Sequence, residues 1–354
     1  MQLLPYMQSQ MTENTSRVDA IWDTYQEASL KSQTRAKRGE TSSRRTRVSA
    51  KIPIPKGVEW QKFLKDNQNK DELFQFICQE LQRSTVESTY HLLTTKADIV
   101  LSNKATDITA VSPCQQEEAD TRMMLHLRHA AMQGHTKAYV RTDDSDVVVL
   151  TISIFHKLGL SELWVGFGTG KSYKDIPIHH ISQLLGPQRC KVLPLFNAIT
   201  GCDVVSTMFG IGKNTACNAL IAYPEVTDTL IAITQDPNSF TLDSLHMRHL
   251  ERWTVLMYSK NCNAELVNDA RKLMFSHNLR SLDSIPPSKS ALFQHIKRAL
   301  VVAAFIWKQS LSKTPEIPKP SEWGMEHQDK RVGTILDRSV VRQPGILAAP
   351  PLWL

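Results

Sequence analysis

The sequence predicts an α/β protein with a mainly parallel central sheet flanked by helices, followed by a helical C-terminal region. Three observations carry that expectation. Strand-like and helix-like segments alternate between about residues 97 and 222, the pattern of βαβ units. Acidic residues stand at the ends of those segments, in Glu118-Ala-Asp120, Asp144-Ser-Asp146 and Gly201-Cys202-Asp203. Ligands of open α/β sheets bind outside the carboxyl ends of the strands. From about residue 225 the apolar spacing becomes helical.

Residues 1–16 are polar and irregular and are expected to be disordered. They have neither a basic n-region nor an apolar h-region, so no secretory signal is expected. Val18-Asp-Ala-Ile-Trp22 reads as a strand ending at Asp23. Glu27 to Arg38 is compatible with a helix that Gly39 would end. Pro53 and Pro55 mark an extended linker. Asp71 to Leu81 is an amphipathic helix with Leu73, Phe76, Ile77 and Leu81 on one face. Ala97 to Leu101 is a strand, Glu117 to Met132 a helix and Lys137 to Arg141 a strand. The polar cluster Thr142-Asp-Asp-Ser-Asp146 precedes a helix over Val147 to Leu158. Leu163 to Phe167 is a strand, and Ile176 to Leu185 holds a short strand and a helix start. Leu193 to Thr200 is helical and stops at Gly201. Asn214 to Ala222 is a helix entered from Gly210-Ile-Gly-Lys213. Further helices are expected at Leu245 to Tyr258, Ala264 to Ser276 and Lys289 to Trp307, with a Pro-rich, extended tail from Pro315.

The chain has 354 residues, 41% hydrophobic and 22% charged. It can bury a full core without disulfides and is neither fibrous nor disordered as a whole. The longest apolar run of the C-terminal half, Ala299 to Trp307, is too short to span a bilayer, so no membrane partner is expected. The six cysteines contain no CxxC and show no disulfide framework, which suits reduced thiols in an intracellular protein. With His179-His180 they also lack zinc-ligand spacing. The net charge is +7, and one segment carries all of it. Between Thr24 and Lys56 stand Lys31, Arg35, Lys37, Arg38, Arg44, Arg45, Arg47, Lys51 and Lys56, against Glu27 and Glu40. Such a stretch beside a neutral body is an electrostatic footprint for a polyanion. It reads equally as a solvated loop or a nuclear-import signal.

The acidic groups have two readings. Taken alone, Glu117, Glu118 and Asp120 are first-turn acids that favour a helix start. Asp143, Asp144 and Asp146 form a turn and cap the next helix, and Asp203 is a loop residue. Taken together, with Asp23 as a fourth group, carboxylates at one sheet edge repel unless divalent cations lie between them. Mg²⁺ and Mn²⁺ take oxygen ligands. Two such ions roughly 4 Å apart support phosphodiester hydrolysis. Gly210-Ile-Gly-Lys213 is a glycine turn before a helix, able to present N–H groups to phosphate or simply to join two packed helices.

These residues together resemble the flap endonuclease/XPG-type branch of the PIN-like nucleases. Glu118-Ala-Asp120 resembles that family's Glu-Ala-Glu helix start, Asp144-Ser-Asp146 its Asp-x-Asp motif and Gly201-Cys202-Asp203 its Gly-Ser-Asp. Gly210-Ile-Gly212 stands where the family carries Gly-Ile-Gly-Pro-Lys, and Ile21-Trp-Asp23 where it carries a strand ending in Phe-Asp-Gly. Leu30-Lys-Ser32 and Ala36-Lys-Arg38 resemble the start of its basic gateway helix. The phrases Glu-Glu-Ala-Asp-Thr-Arg and Ile-Thr-Gly-Cys-Asp are also similar to a broad group of animal proteins, some of which resemble mobile-element products.

The resemblance implies a PIN-like nuclease domain over residues 17–225, with a helix–turn–helix at about 193–222. A helical region at 226–310 and the tail at 311–354 would follow. Asp23, Glu118, Asp120, Asp144, Asp146 and Asp203 would hold two Mg²⁺ or Mn²⁺ ions. Lys31 and Arg38 would act on the scissile phosphate. Arg44, Arg45, Arg47, Gly210, Gly212 and Lys213 would bind nucleic acid, with K⁺ at the helix–turn–helix. The implied partner is DNA, branched or single-stranded, with RNA as the alternative, and the implied location is the nucleus. The family's first strand and its aspartate have no counterpart before Val18, so the expectation is a truncated or decayed copy. A second function class stays open: a non-catalytic nucleic-acid-binding or scaffold protein on the same fold.

Overall fold

Two three-stranded sheets frame the N-terminal part of the chain, and each joins one parallel pair to one antiparallel pair. The computed structural model describes residues 14–24, 45–49, 52–53, 55–84, 90–202, 205–276, 284–328 and 331–334. The expected helix over Glu27 to Arg38, residues 1–13 and the tail from 335 lie outside them. The chain separates into two compact units. One is Met1–Ala198 with Val301–Ile317, the other Ile199–Leu300 with Pro318–Leu354, so the division does not fall at the expected residue 225.

In the first unit β1 (Arg17–Ala20) runs parallel to β2 (His91–Lys96). Helices α1 (Val58–Lys65) and α2 (Asn67–Ser84) lie between them in sequence. A parallel pair needs such a crossover, whereas a tight turn allows only an antiparallel one. The two residues after β2, Ala97 (φ 50°) and Asp98, make such a turn, so β3 (Ile99–Ser102) returns antiparallel. The second sheet repeats the logic. β4 (Lys137–Thr142) pairs parallel with β5 (Glu162–Phe167) across helix α4, Ser145–Leu158, which follows α3 (Ala119–Met132). β6 (Lys174–Pro177) then folds back antiparallel through a turn containing Gly168 and Gly170, both at positive φ. The protein is mixed α/β with small mixed sheets, and the described strands do not form the single, mainly parallel sheet expected. Loop length accounts for the antiparallel pairs: two of the four joins are too short for an α-helical crossover.

One apolar cluster packs Phe63, Leu73, Ile77 and Leu81 of α1 and α2 on Leu92, with Val18, Trp22 and Trp60 at its edge. Trp22 stacks on Phe74 at 4.7 Å. A second cluster joins Leu93, Val100, Val111, Cys114 and Leu125. The span α5 (Ile178–Thr200) is interrupted by non-helical backbone at Gly186 (φ 73°, ψ 167°), so two helical segments stand there, as expected.

The second unit is helical: α6 (Lys213–Ala222), α7 (Glu225–Gln235), α8 (Leu245–Tyr258), α9 (Val267–Ser276) and α10 (Lys289–Leu300). Helix α8 starts on a Ser244 cap (Met247 N to Ser244 Oγ, 3.2 Å) and buries Met247, Leu250, Trp253 and Val255. The Trp253 indole donates to the Ala216 carbonyl at 3.2 Å. The apolar run that begins at Ala299 is a buried core segment. It leaves α10 as a π turn over Val301–Ile306 and a 3-10 turn over Trp307–Gln309. The Pro-rich stretch is not extended throughout: Pro320–Trp323 is a 3-10 turn, and Met325–Gln328 and Arg331–Thr334 form a hairpin. Among the described residues no helix is long and apolar enough to cross a membrane. Cys78, Cys114 and Cys190 are buried and Cys217 is exposed.

Candidate functional site

Two helix starts carry the acidic motifs, and each is capped by a carboxylate. Glu118 is the residue that precedes α3, with extended backbone, and its own side chain makes no cap. The cap comes from far back in the sequence: Asp23 Oδ1 accepts from Ala119 N at 2.8 Å. Thr24 N donates to Glu117 O at 2.8 Å, so two bonds stitch the chain after β1 to this helix start. A carboxylate there offsets unpaired N–H groups and the helix dipole. The structure thus brings Asp23 to the peptide between Glu118 and Asp120. Glu118 is buried.

The start of α4 lies just past the carboxyl end of β4. Asp144 Oδ1 accepts from Asp146 N at 2.8 Å, and Asp144 N donates to Thr142 Oγ1 at 3.0 Å. Asp146 Oδ1 accepts from Asn197 Nδ2 at 2.9 Å. Asp144 thus caps the helix, just past the end of a strand.

Carboxylate oxygens are the donors that Mg²⁺ and Mn²⁺ take, so the donor chemistry suits these ions. Among the described residues, however, no three His, Cys, Asp or Glu side chains come close enough together to hold a metal ion. Asp203, Lys31, Arg38 and Arg44 lie outside the described residues.

Arg45 and Arg47 are exposed. Arg45 also pairs with Glu72 and donates to Asn69 Oδ1 at 2.9 Å. Val48 N donates to Glu72 Oε2 at 3.1 Å, so Glu72 pins the segment 45–48 to α2. The hydrogen bond from Arg45 holds the Glu72 carboxyl below its usual range. In the second unit Gly210 takes a left-handed conformation (φ 72°) and Gly212 is the cap residue of α6. Lys213 is exposed at the first turn and its ammonium reaches the Gly201 carbonyl at 3.3 Å.

Sequence reading missed a polar network beneath β1. Arg17 holds Asp19 with two bonds, Nε to Oδ1 at 2.7 Å and Nη2 to Oδ2 at 2.6 Å. His126 of α3 approaches the same Oδ2 through Nδ1 at 2.7 Å, and its Nε2 is buried without a partner among the described residues. His129 Nδ1 lies 3.0 Å from Arg17 Nη2. Burial alone would raise the Asp19 carboxyl, but Arg17 and His126 together hold it far below the usual range. One turn before His126, the buried Arg122 donates to the Ala97 carbonyl at 2.5 Å. Burial lowers its pKa. The available signal was an acid inside the apolar run Val18 to Trp22, with His126 and His129 three residues apart on one helix face.

No family model, no curated protein and no solved structure matches this chain.

Proposed function

We propose that this protein is a metal-dependent phosphodiesterase acting on DNA, built on a PIN-like plan. The observation that carries the reading is the Asp23 to Ala119 bond. It joins acids about a hundred residues apart at one helix start, while Asp144 and Asp146 stand at the start of the next helix. Asp23, Glu118, Asp120, Asp144 and Asp146 are the donors this reading assigns to Mg²⁺ or Mn²⁺, which would have to draw the two helix starts together, since no three of them lie within reach of one ion as the chain stands. When bound, such ions activate a water and stabilise the leaving oxygen. Caps through one oxygen fix the carboxylates in direction, because the N–H of a helix start holds each against rotation. Lys31 and Arg38 would steer the scissile phosphate and offset its charge. In the second unit Gly210, Gly212 and Lys213 offer a helix start to backbone phosphate. Such contacts bind with little sequence preference and steep salt dependence. The nucleus is the location this reading entails.

The test uses asparagine, which caps helices as well as aspartate but carries no charge. Purified protein is given labelled single-stranded and 5′-flap DNA with Mn²⁺ or Mg²⁺, beside Asp144→Asn with Asp146→Asn. Metal-dependent cleavage lost in an equally stable variant supports the reading; unchanged cleavage removes the site assignment.

A second reading has its own observation. Asp23 and Asp144 already serve as caps, and no three-acid set gathers among the described residues. A non-catalytic nucleic-acid-binding protein needs no such set. It predicts binding that survives the double asparagine variant and falls when Arg44, Arg45 and Arg47 are neutralised.

A further inference from the structure

The outer face of the β4–β5–β6 sheet is laid out unlike the rest of the molecule. Val140, Leu163 and Val165 point inward and are buried. The alternate residues Tyr139, Arg141 and Asp175 point outward and are exposed. Tyr139 is 51% and Tyr173 40% exposed. In α/β proteins sheet faces are ordinarily covered, so two bare aromatic rings on one face call for a reason.

The rings are held in place. Arg141, Gly166 and Asp175 form one cross-strand row. A Cβ at Gly166 would fall 2.0 Å from the Tyr139 hydroxyl and 2.6 Å from that of Tyr173. Only glycine lets both rings lie across the strand there. The two hydroxyls contact each other and converge on Asp175 Oδ1, at 2.7 Å from Tyr139 and 2.9 Å from Tyr173. Arg141 donates to the carbonyls of Gly166 and Gly168, each at 2.7 Å, and its guanidinium lies 4.6 Å from the centre of the Tyr173 ring. Lys171 is exposed on the same hairpin, whereas Lys174 turns to the opposite face, over the Phe167 ring. The acid among them, Asp175, is occupied by the tyrosine hydroxyls, and the other pair on this face, Lys137 with Glu162, offsets itself at 2.7 Å.

We propose that this face binds single-stranded nucleic acid, with bases stacked on Tyr139 and Tyr173 and phosphates against Arg141 and Lys171. Fixed, exposed rings beside a fixed guanidinium suit a ligand that alternates flat bases with anionic phosphates. A duplex buries its base faces in its own stack and offers the rings nothing. Pre-ordered rings also lose little entropy on binding. The platform ends at the proposed chemistry: Gly168 N donates to Thr142 O at 3.2 Å, and Asp143 and Asp144 follow Thr142 directly. The inference therefore rests on the phosphodiesterase reading for its purpose and narrows the substrate to a single strand.

The experiment measures binding of the full chain to fluorescein-labelled oligothymidylate by anisotropy, at low salt and in EDTA. Because no metal is present, a protein that never cleaves can still pass. Tyr139→Ala with Tyr173→Ala should weaken binding at least about tenfold. Tyr139→Phe with Tyr173→Phe keeps the rings, loses the hydroxyl network, and should stay within about twofold, with duplex DNA bound more weakly throughout. No binding by the wild type, equal binding by the alanine pair, or an equal loss in the phenylalanine pair overturns the proposal. Should the alanine pair unfold, an oligonucleotide carrying 5-iodouracil is crosslinked to the wild type and mapped by mass spectrometry. Adducts on Tyr139 or Tyr173 support the platform; adducts confined to other residues refute it.

Discussion

The two three-stranded sheets share a plan and differ in where they keep their polar groups. Beneath β1 the charged network is inside: the Arg17 side chain is 5% exposed, Asp19 16% and His126 3%. On β4 to β6 the polar groups lie outside, and glycine makes room for them. A helix start beside each sheet repeats the contrast. Asp144 caps α4 from two residues away, while Asp23 caps α3 from 96 residues away. Inward partners hold a fold together and resist change; outward ones can be altered at less cost to the fold and are available for binding.

The sharpest way to break that comparison is Asp19→Asn. It leaves Arg17 buried beside an uncharged partner, and the expected loss is about 3–5 kcal/mol, read by chemical denaturation. The pH dependence follows from the same carboxyl. Its pKa lies below the ordinary carboxylate value, so its contribution is complete above roughly pH 4 and is lost as pH falls below that. Wild-type stability should fall more steeply over that acid range than stability of the variant; equal slopes would show that Asp19 is not held ionised.

A middle-sized effect separates the two caps. Asp23→Ala and Asp144→Ala should each cost about 1 kcal/mol, and the asparagine variants almost nothing. Hydrogen exchange distinguishes them. Loss of Asp23 should speed exchange at Thr24 as well as at Ala119, because the stitch to β1 goes with it. Loss of Asp144 should speed exchange only around Asp146. Identical local patterns would remove the distinction between remote and local caps.

The smallest effect is expected on the outer face. In Gly166→Ala the tyrosine ends must swing away, but they are side-chain tips at the surface. Stability should move by less than about 0.5 kcal/mol, while near-ultraviolet tyrosine absorbance changes. A large destabilisation would mean that the face is part of the core.

Individual elements show how far local reading reached. Helix α8 runs over Leu245–Tyr258, the span its spacing predicts, because a Ser cap and a one-sided apolar pattern are both local. The Asp144 cap was legible for the same reason. Strand β2 was not: His-Leu-Leu-Thr-Thr-Lys shows no alternation, yet its four central residues are all buried. The two threonines can be buried because Trp22 Nε1 and Cys78 Sγ meet Thr94 Oγ1, and Trp22 N donates to Thr95 Oγ1. Those partners come from other segments, so no window around residue 94 reveals them. Helix α1 (Val58–Lys65) was not predicted either; the sequence signal nearest to it is the linker marked by Pro53 and Pro55.

By itself the sequence determined the alternation of strands and helices, the two acidic helix starts, and the basic segment between Thr24 and Lys56, because periodicity, caps and charge are properties of neighbours. Tertiary structure decided the rest. It paired the strands into mixed sheets, matched Asp23 to α3, brought His126 to Asp19, and laid Tyr139 over Gly166. Each of these is a pairing between residues far apart in sequence, and a pairing has no local pattern until the chain has folded.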